Sequence, residues 1–488
     1  MNDIKLSLIA HTNVGKTTLA RTLLGRDIGE VRDAAHVTEV AQESVLLGPV
    51  DGVRMLLWDT PGFGDSVRLV RRMRQAKGAL GWFLTEVWDR YTDRGFWFSQ
   101  QALKHVREHS DLVLYLINAA QDPTQASEVD AELELLALLG KPVIALLNQL
   151  GTPREPALEA AELARWRSAL AHRPEVHSVL ALDAFSRCWV QEGVLLDAIT
   201  IALPTATTPA MIALRAAWRE RALGVFDAAI TDLAATLAQL AAAREAISAP
   251  PIIARLRRTL GAGSEHAPEP TAGALLKRVE KAIAASTTRL LEIHHLDGKA
   301  SAQLHAQLAQ HYDYRLTLDA ASGAAAGGVL AGALTGLKAD LATGGLSLGG
   351  GMLVGAVLGA LGGAGGARLV NWVRGRDAST VGLADPALDA LYAEALLRYL
   401  AVAHFGRGRG DWREDPRPAH WLRLVEDALD DARPVLHSLW AQARTPRPET
   451  SSADAHALQR GLDQSLRRAL TVILRKLYPN AASHLPRD

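Results

Sequence analysis

The feature that most constrains this chain is an apolar run that ends in a loop and opens directly into a helix. Leu6–Ala10 reads as a buried strand, and Thr18-Leu19-Ala20-Arg21-Thr22-Leu23-Leu24 as an amphipathic helix. Between them stands His11-Thr12-Asn13-Val14-Gly15-Lys16-Thr17. With Ala10 this follows the phosphate-loop pattern G-x-x-x-x-G-K-[ST], Ala10 replacing the first glycine, a change that asks for an unstrained φ there. The pattern has a mechanism. Backbone N–H groups surround phosphate oxygens, and the helix that begins in the loop points its positive end at them. Lys16 would neutralise the outer phosphates, and the Thr17 hydroxyl would ligate Mg²⁺. Ala10, His11, Thr12, Asn13, Val14, Gly15, Lys16, Thr17 and Thr18 are therefore the candidate phosphate-binding residues.

A second element supports the first. Arg54–Trp58 reads as a strand and runs into Asp59-Thr60-Pro61-Gly62, a D-x-x-G in which the Asp would hold Mg²⁺ through water and the Gly62 N–H would sense a terminal phosphate. Between the two lies Thr38, either a switch threonine contacting Mg²⁺ and phosphate or an ordinary strand-edge threonine. Leu112–Ile117, Val143–Leu147 and Val176–Leu182 complete a set of strands separated by helical stretches, the pattern of an α/β fold with a mostly parallel sheet. After Pro204 the strand signals stop. Met211–Ile247 and Ala272–Leu316 read as long amphipathic helices, broken at Pro250-Pro251, with loops at Gly261–Pro270, Gly406–Pro418 and Thr445–Ser452. With 488 residues the chain exceeds one core. The expected division is residues 1–205, with an aromatic insert at about 64–110, and a mostly helical domain over 206–488.

At this point the chain resembles the Era-like P-loop GTPases, the group containing tRNA-modifying and ribosome-assembly GTPases. Asn13-Val14-Gly15-Lys16-Thr17 and Asp59-Thr60-Pro61-Gly62 carry that resemblance over about residues 1–205. The whole chain resembles a bacterial family in which such a domain precedes a C-terminal domain of unknown function, on wording such as His11-Thr12-Asn13-Val14 and Asp183-Ala184-Phe185-Ser186-Arg187-Cys188-Trp189. The resemblance implies GTP and GDP as ligands, Mg²⁺ held by Thr17, Thr38 and Asp59, GTP hydrolysis that is slow without help, and a G-domain homodimer. Lys16, Thr38, Gly62 and Asn13 are the residues it implies in hydrolysis. Asn13 matches an asparagine that in some relatives helps bind K⁺ beside the phosphates; a loop-stabilising role is equally open. Phe63 stands where Ras-like proteins carry a water-orienting glutamine, so hydrolysis needs another device. The basic run Arg68, Arg71, Arg72, Arg74 and Lys77 could supply an arginine finger in trans or simply be a solvated helix face.

The base-recognition box departs from the family. Where N-K-x-D is expected, the chain has Asn148-Gln149-Leu150-Gly151, so the carboxylate that selects guanine is missing. Asn148 remains a candidate base contact, and Asp183 either stands in for the lost carboxylate or caps a helix. The insert, roughly Ala79–Ser99, holds Trp82, Phe83, Trp88, Tyr91, Phe96, Trp97 and Phe98, which form a contact surface or pack a helix onto the C-terminal domain.

Two uncharged runs, Ala320–Leu337 and Leu346–Ala367, carry Gly328, Gly332 and Gly336, then Gly351, Gly355, Gly359 and Gly363, at every fourth position. A Gly-rich helical hairpin at about 320–370 would enter a membrane or form a tightly packed soluble helix pair. Lys338 and Asp340 lie in its link, and Arg368, Arg374 and Arg376 flank it. Lys+Arg and Asp+Glu both number 53, a balance from which no nucleic-acid partner is expected. The single cysteine, Cys188, excludes an internal disulfide framework, and no export signal is read at the N-terminus. The expected location is the cytoplasm, with possible inner-membrane association. His294-His295 has no partner ligands at useful spacing and reads as a surface pair. Three functions follow: a switch GTPase engaging a membrane or membrane partner, a soluble RNA or ribosome assembly GTPase, and a nucleotide-binding scaffold with little hydrolysis.

Overall fold

A computed structural model describes residues 3–25, 42–75, 94–151, 153–186, 188–246, 269–296, 370–374, 379–405, 418–444 and 452–486. The chain divides into two compact units: Met1–Gly224 with Ala403–Asp411 and Arg475–Arg487, and Val225–Val402 with Trp412–Leu474 and Asp488.

The first unit is built on a six-stranded sheet in the order β2-β3-β1-β4-β5-β6. Its strands are β1 Ile4–Ala10, β2 Gln42–Val50, β3 Val53–Asp59, β4 Leu112–Asn118, β5 Val143–Asn148 and β6 Val176–Ala181. Five run parallel, and β2 is antiparallel to β3. The helices are α1 Lys16–Leu24, α2 Ser66–Gln75, α3 Arg94–His109, α4 Ser127–Ala137, α5 Pro156–Leu170 and α6 Trp189–Ala202. Because side chains alternate along a strand, a sheet covered on both faces needs both sets apolar. In β4, Leu112, Leu114 and Leu116 enter one core with Leu6 and Leu8, while Val113, Tyr115 and Ile117 enter another with Ile9 and Leu147.

The second unit is mostly helical. It contains the later part of α7 Thr208–Ala242, then α8 Glu269–Ile293, α9 Asp385–Ala403, α10 Ala419–Arg444 and most of α11 Ser452–Leu477. Ile230, Leu233, Leu237 and Leu240 bury one face of α7, and Leu462, Leu466, Leu470 and Ile473 one face of α11, at the three- and four-residue spacing a helical stripe requires. Buried Arg398 donates to the Ile283 carbonyl at 3.1 Å and to Thr287 Oγ1 at 3.3 Å. Asp389 accepts from Trp440 Nε1 at 2.9 Å.

Several expectations change. Strands do occur after Pro204: β7 Glu245–Ala246, β8 Val370–Arg374 and β9 Ser379–Leu383 form a small antiparallel sheet in the order β7-β9-β8. Their short length leaves almost no alternation to read. Phe96 and Phe98 are fully buried, and Phe96 packs with Phe63, Leu69 and Val70 in the first unit's core, so here the aromatics serve the sheet domain itself. His294 is not a surface residue. Its ring lies 5.9 Å from Tyr399, its Nδ1 donates to the Leu290 carbonyl at 2.9 Å, and desolvation pushes its pKa down to about 4. Thr38, Lys77, Trp82, Phe83, Trp88, Tyr91, Pro250-Pro251, the stretch 297–316 and the Gly-rich runs lie outside the described residues.

Candidate nucleotide site

The C-terminal ends of β1, β3 and β5 build the site. At the end of β1 the chain turns through Asn13 at φ 67° and Gly15 at φ 93°, both left-handed. Glycine is the residue type for the second of these, since a Cβ there would also stand 2.9 Å from Asn148 Nδ2. The turn directs the start of α1 toward the loop's interior. Lys16, the first residue of α1, is buried. Desolvation lowers its pKa, while Asp59 and Glu132 oppose that shift. A Cβ on Gly62 would lie 2.8 Å from Lys16 Nζ and 3.2 Å from Thr12 Cγ2, so the ammonium rests against the Gly62 backbone.

The phosphate loop and the D-x-x-G segment are joined directly. Thr17 Oγ1 donates to Asp59 Oδ2 at 2.6 Å. Phe63 N–H donates to the Ala10 carbonyl at 2.9 Å, and Thr12 N–H to the Phe63 carbonyl at 3.2 Å. Phe63 is itself fully buried in the core shared with Phe96. Its side chain therefore anchors the start of the switch and is turned away from solvent.

The base-side residues are held from within. Fully buried Asn148 donates through Nδ2 to the Val14 carbonyl at 2.6 Å and accepts the Ala184 N–H on Oδ1 at 2.8 Å. Gln149, at φ 59°, reaches the Asn13 carbonyl at 3.3 Å. Asp183 is buried and accepts from Leu150 N–H at 2.6 Å and Phe185 N–H at 2.7 Å. Burial raises its pKa, and backbone donors from Phe185, Leu150, Ser186 and Gln149 pull it back. Neither residue turns a free polar group toward solvent. The helix cap after this loop is Cys188, whose N–H donates to Gln191 Oε1 at 2.9 Å.

Sequence reasoning missed a buried carboxylate beside the phosphate loop. Glu132, from the middle of α4, accepts from His11 Nδ1 at 2.7 Å, Tyr115 Oη at 2.8 Å and Ser66 Oγ at 3.2 Å. Burial raises the Glu132 pKa against the pull of His11, and Glu132 in turn raises that of His11. A glutamate amid Val129, Leu133, Leu135 and Leu136 is the one trace it left in the sequence.

The comparisons agree with this geometry. Residues 5–149 match a family model described as 50S ribosome-binding GTPase, and residues 167–472 one described as Domain of unknown function (DUF3482). GTPase Era of Geotalea uraniireducens is 28% identical over 153 residues, and that of Geobacter metallireducens 29% over 154 residues. Each match covers 31% of this chain and 42% of the relative, so the chain spans under half the length of these relatives. Among solved structures, an Aquifex aeolicus Era variant bound to GDP and aluminium fluoride aligns with a TM-score of 0.31 and 19% identity, over 42% of this chain and 58% of that one. Era in complex with MgGDPNP and a 16S ribosomal RNA segment aligns at 0.30 and 18%, with the same coverage.

The expectation of no nucleic-acid partner is corrected here. The family whose model matches residues 5–149 is described by ribosome binding. A balanced net charge excludes only a whole-chain field, because local patches act within about a Debye length, ~8–10 Å. The DUF3482 match starts inside α5, ahead of the last strand of the sheet, so it takes in part of the first unit as well as the helical one. The chain belongs to the family described as Domain of unknown function (DUF3482), and its N-terminal part is an Era-like P-loop GTPase domain.

Proposed function

We propose that the chain binds and hydrolyses GTP as a molecular switch, and that its helical part carries the result to an RNA or ribosomal partner. The observation that carries the first half is the 2.6 Å bond from Thr17 to Asp59, which brings together the two oxygen ligands expected from separate motifs. Paired hard oxygens beside a buried ammonium suit a magnesium–phosphate group, and Thr38 would complete the set. Mg²⁺, when bound, supplies charge neutralisation at the phosphate oxygens. The chain's own residues do the rest: loop N–H groups from Ala10 to Thr18 cradle phosphate, Lys16 offsets its charge, and the Gly62 backbone senses its terminal group. Asn13 is proposed as a K⁺ ligand that takes the electrostatic role of an arginine finger. Asn148 and Asp183 are proposed to shape the nucleotide pocket from behind, with guanine favoured by family. Residues 1–205 are proposed as the GTPase domain and 206–488 as the helical domain, with pairing of two GTPase domains as the proposed oligomer.

The ribosomal half is supported by the description of the family matching residues 5–149. A second reading, engagement of a membrane at the inner face of the cell, is motivated by the two uncharged Gly-rich runs. Among the described residues, Thr205–Ala242 is also long and apolar enough to cross a bilayer by length and composition, with half of its most apolar window buried inside the protein.

Turnover of GTP and ATP in potassium and in sodium buffer, with Lys16→Ala as blank, tests the enzyme. The expected result is potassium-stimulated GTP hydrolysis absent from the variant; equal use of ATP would defeat the guanine assignment. Co-sedimentation with ribosomal particles and with anionic liposomes in each nucleotide state separates the two partner readings.

A further inference from the structure

We propose that Glu132 is a positioning residue for hydrolysis, holding the start of the switch helix α2, through Ser66, against the phosphate loop, through His11. The inference rests on the GTPase reading above. Its basis is a junction of four elements on one carboxylate that is 0% exposed. His11 comes from the phosphate loop, Ser66 is the first residue of α2, Tyr115 lies on β4, and Glu132 itself is on α4.

A buried carboxylate is a costly way to fill space. Its desolvation is unfavourable unless donors surround it, and a leucine among Val129, Leu133 and Leu136 would pack α4 at no such cost. All three donors are supplied, and two of them come from the segments that must move relative to each other when a terminal phosphate is lost. Ser66 lies four residues after Gly62, whose backbone touches Lys16 Nζ. Where Ser66 is held, the intervening Phe63-Gly64-Asp65 has little freedom: Phe63 is bonded to Ala10, and Gly64 N–H donates to Ser99 Oγ at 3.2 Å. Gly64 also sits so close to Gly95 that a Cβ would meet its Cα at 2.5 Å. The Ser66 bond is the longest of the three on Glu132 and the only one made by α2, which marks it as the contact that yields first. Arg74, two turns along α2, bonds Glu134 on α4 at 2.9 Å, so the helix has a second, exposed tether that lets its start shift without the whole helix leaving.

The test uses the full chain and four variants: Ser66→Ala, Ser66→Thr, Glu132→Gln and Lys16→Ala. Affinity is measured with a fluorescent GDP analogue, hydrolysis by single-turnover release of phosphate from GTP, and folding by melting temperature. Ser66→Ala is expected to slow single-turnover hydrolysis about tenfold. It should leave nucleotide affinity within about twofold, with a fall in melting temperature no larger than that of Glu132→Gln, so that the loss of rate does not track stability. Ser66→Thr, which keeps the hydroxyl, is expected to recover the rate, and Glu132→Gln to fall between the two. Unchanged hydrolysis in both Ser66→Ala and Glu132→Gln overturns the inference, as does a loss of rate that only follows a lowered melting temperature. A wild-type chain that binds nucleotide no better than Lys16→Ala, or never turns it over, instead defeats the GTPase reading itself, and this inference with it.

Discussion

Gly62 shows how little room the candidate nucleotide site leaves. Adding one methyl there places a carbon 2.8 Å from Lys16 Nζ and 3.2 Å from Thr12 Cγ2, and the flexible lysine end would have to give. Gly62→Ala is therefore expected to lower GTP turnover by about 10²-fold while the protein stays folded, since a displacement of ~1 Å in a catalytic group has that effect. Steady-state turnover alongside circular dichroism checks it; a fully active variant would show that Lys16 is not fixed against this backbone. A different residue-scale expectation concerns acid. The folded chain binds a proton at His294 less tightly than the unfolded chain, about 4 against 6.5. The stability this histidine gives is thus complete above about pH 6.5 and is lost as pH falls toward 4. Melting curves across that range should show less acid loss in His294→Gln than in the wild type, and parallel curves would contradict the assignment. The Lys16, Thr17 and Asp59 cluster was legible because its residue types sit next to strand and helix signals. Glu132 was not, because a lone glutamate in an amphipathic helix reads as its solvent face until the fold turns it inward.

Among the elements, β5 links the phosphate loop to the segment that follows β6. Asn148 at its tip bonds the Val14 carbonyl on one side and the Ala184 N–H on the other. Asn148→Ala leaves both without that partner in a dry setting. The expected loss is about 2–6 kcal/mol of stability, two groups at roughly 1–3 each, with weaker nucleotide binding in step. Urea titration with and without GDP measures both; a loss under about 0.5 kcal/mol would mean water replaces the side chain. The five parallel strands were readable because each is a short apolar run, and β1, β4 and β5 are buried on both faces. β2 was missed since Gln42, Glu43 and Pro49 dilute its pattern and its outer edge is exposed. β7 has two residues and pairs with β9 across a long stretch of chain, so its identity comes from its partner and not from local periodicity.

For the whole molecule, the first unit includes chain from both ends. The 3₁₀ turn Pro479–His484 belongs to it, with Ala481 and Leu485 buried. His484 Nε2 lies 2.9 Å from Asp197 of α6, and Arg215 also pairs with Asp197. Gly193 makes room, for a Cβ there would come 2.5 Å from the His484 ring. Nothing in the sequence announces this, as a proline-led hexapeptide after a helix has no pattern that names its distant partner. His484→Ala is expected to destabilise the GTPase unit by about 1–3 kcal/mol, read as a lower melting temperature of the GDP-protected transition. An unchanged transition would mean the turn packs without contributing.

That returning turn has a consequence for biosynthesis. Domains commonly fold in the order they leave the ribosome, N-terminal first. Here the phosphate loop is made well ahead of residues 479–485, and until those have been made the unit around it lacks the wall that covers α6. A nascent chain can therefore display its candidate nucleotide loop long before that unit is finished.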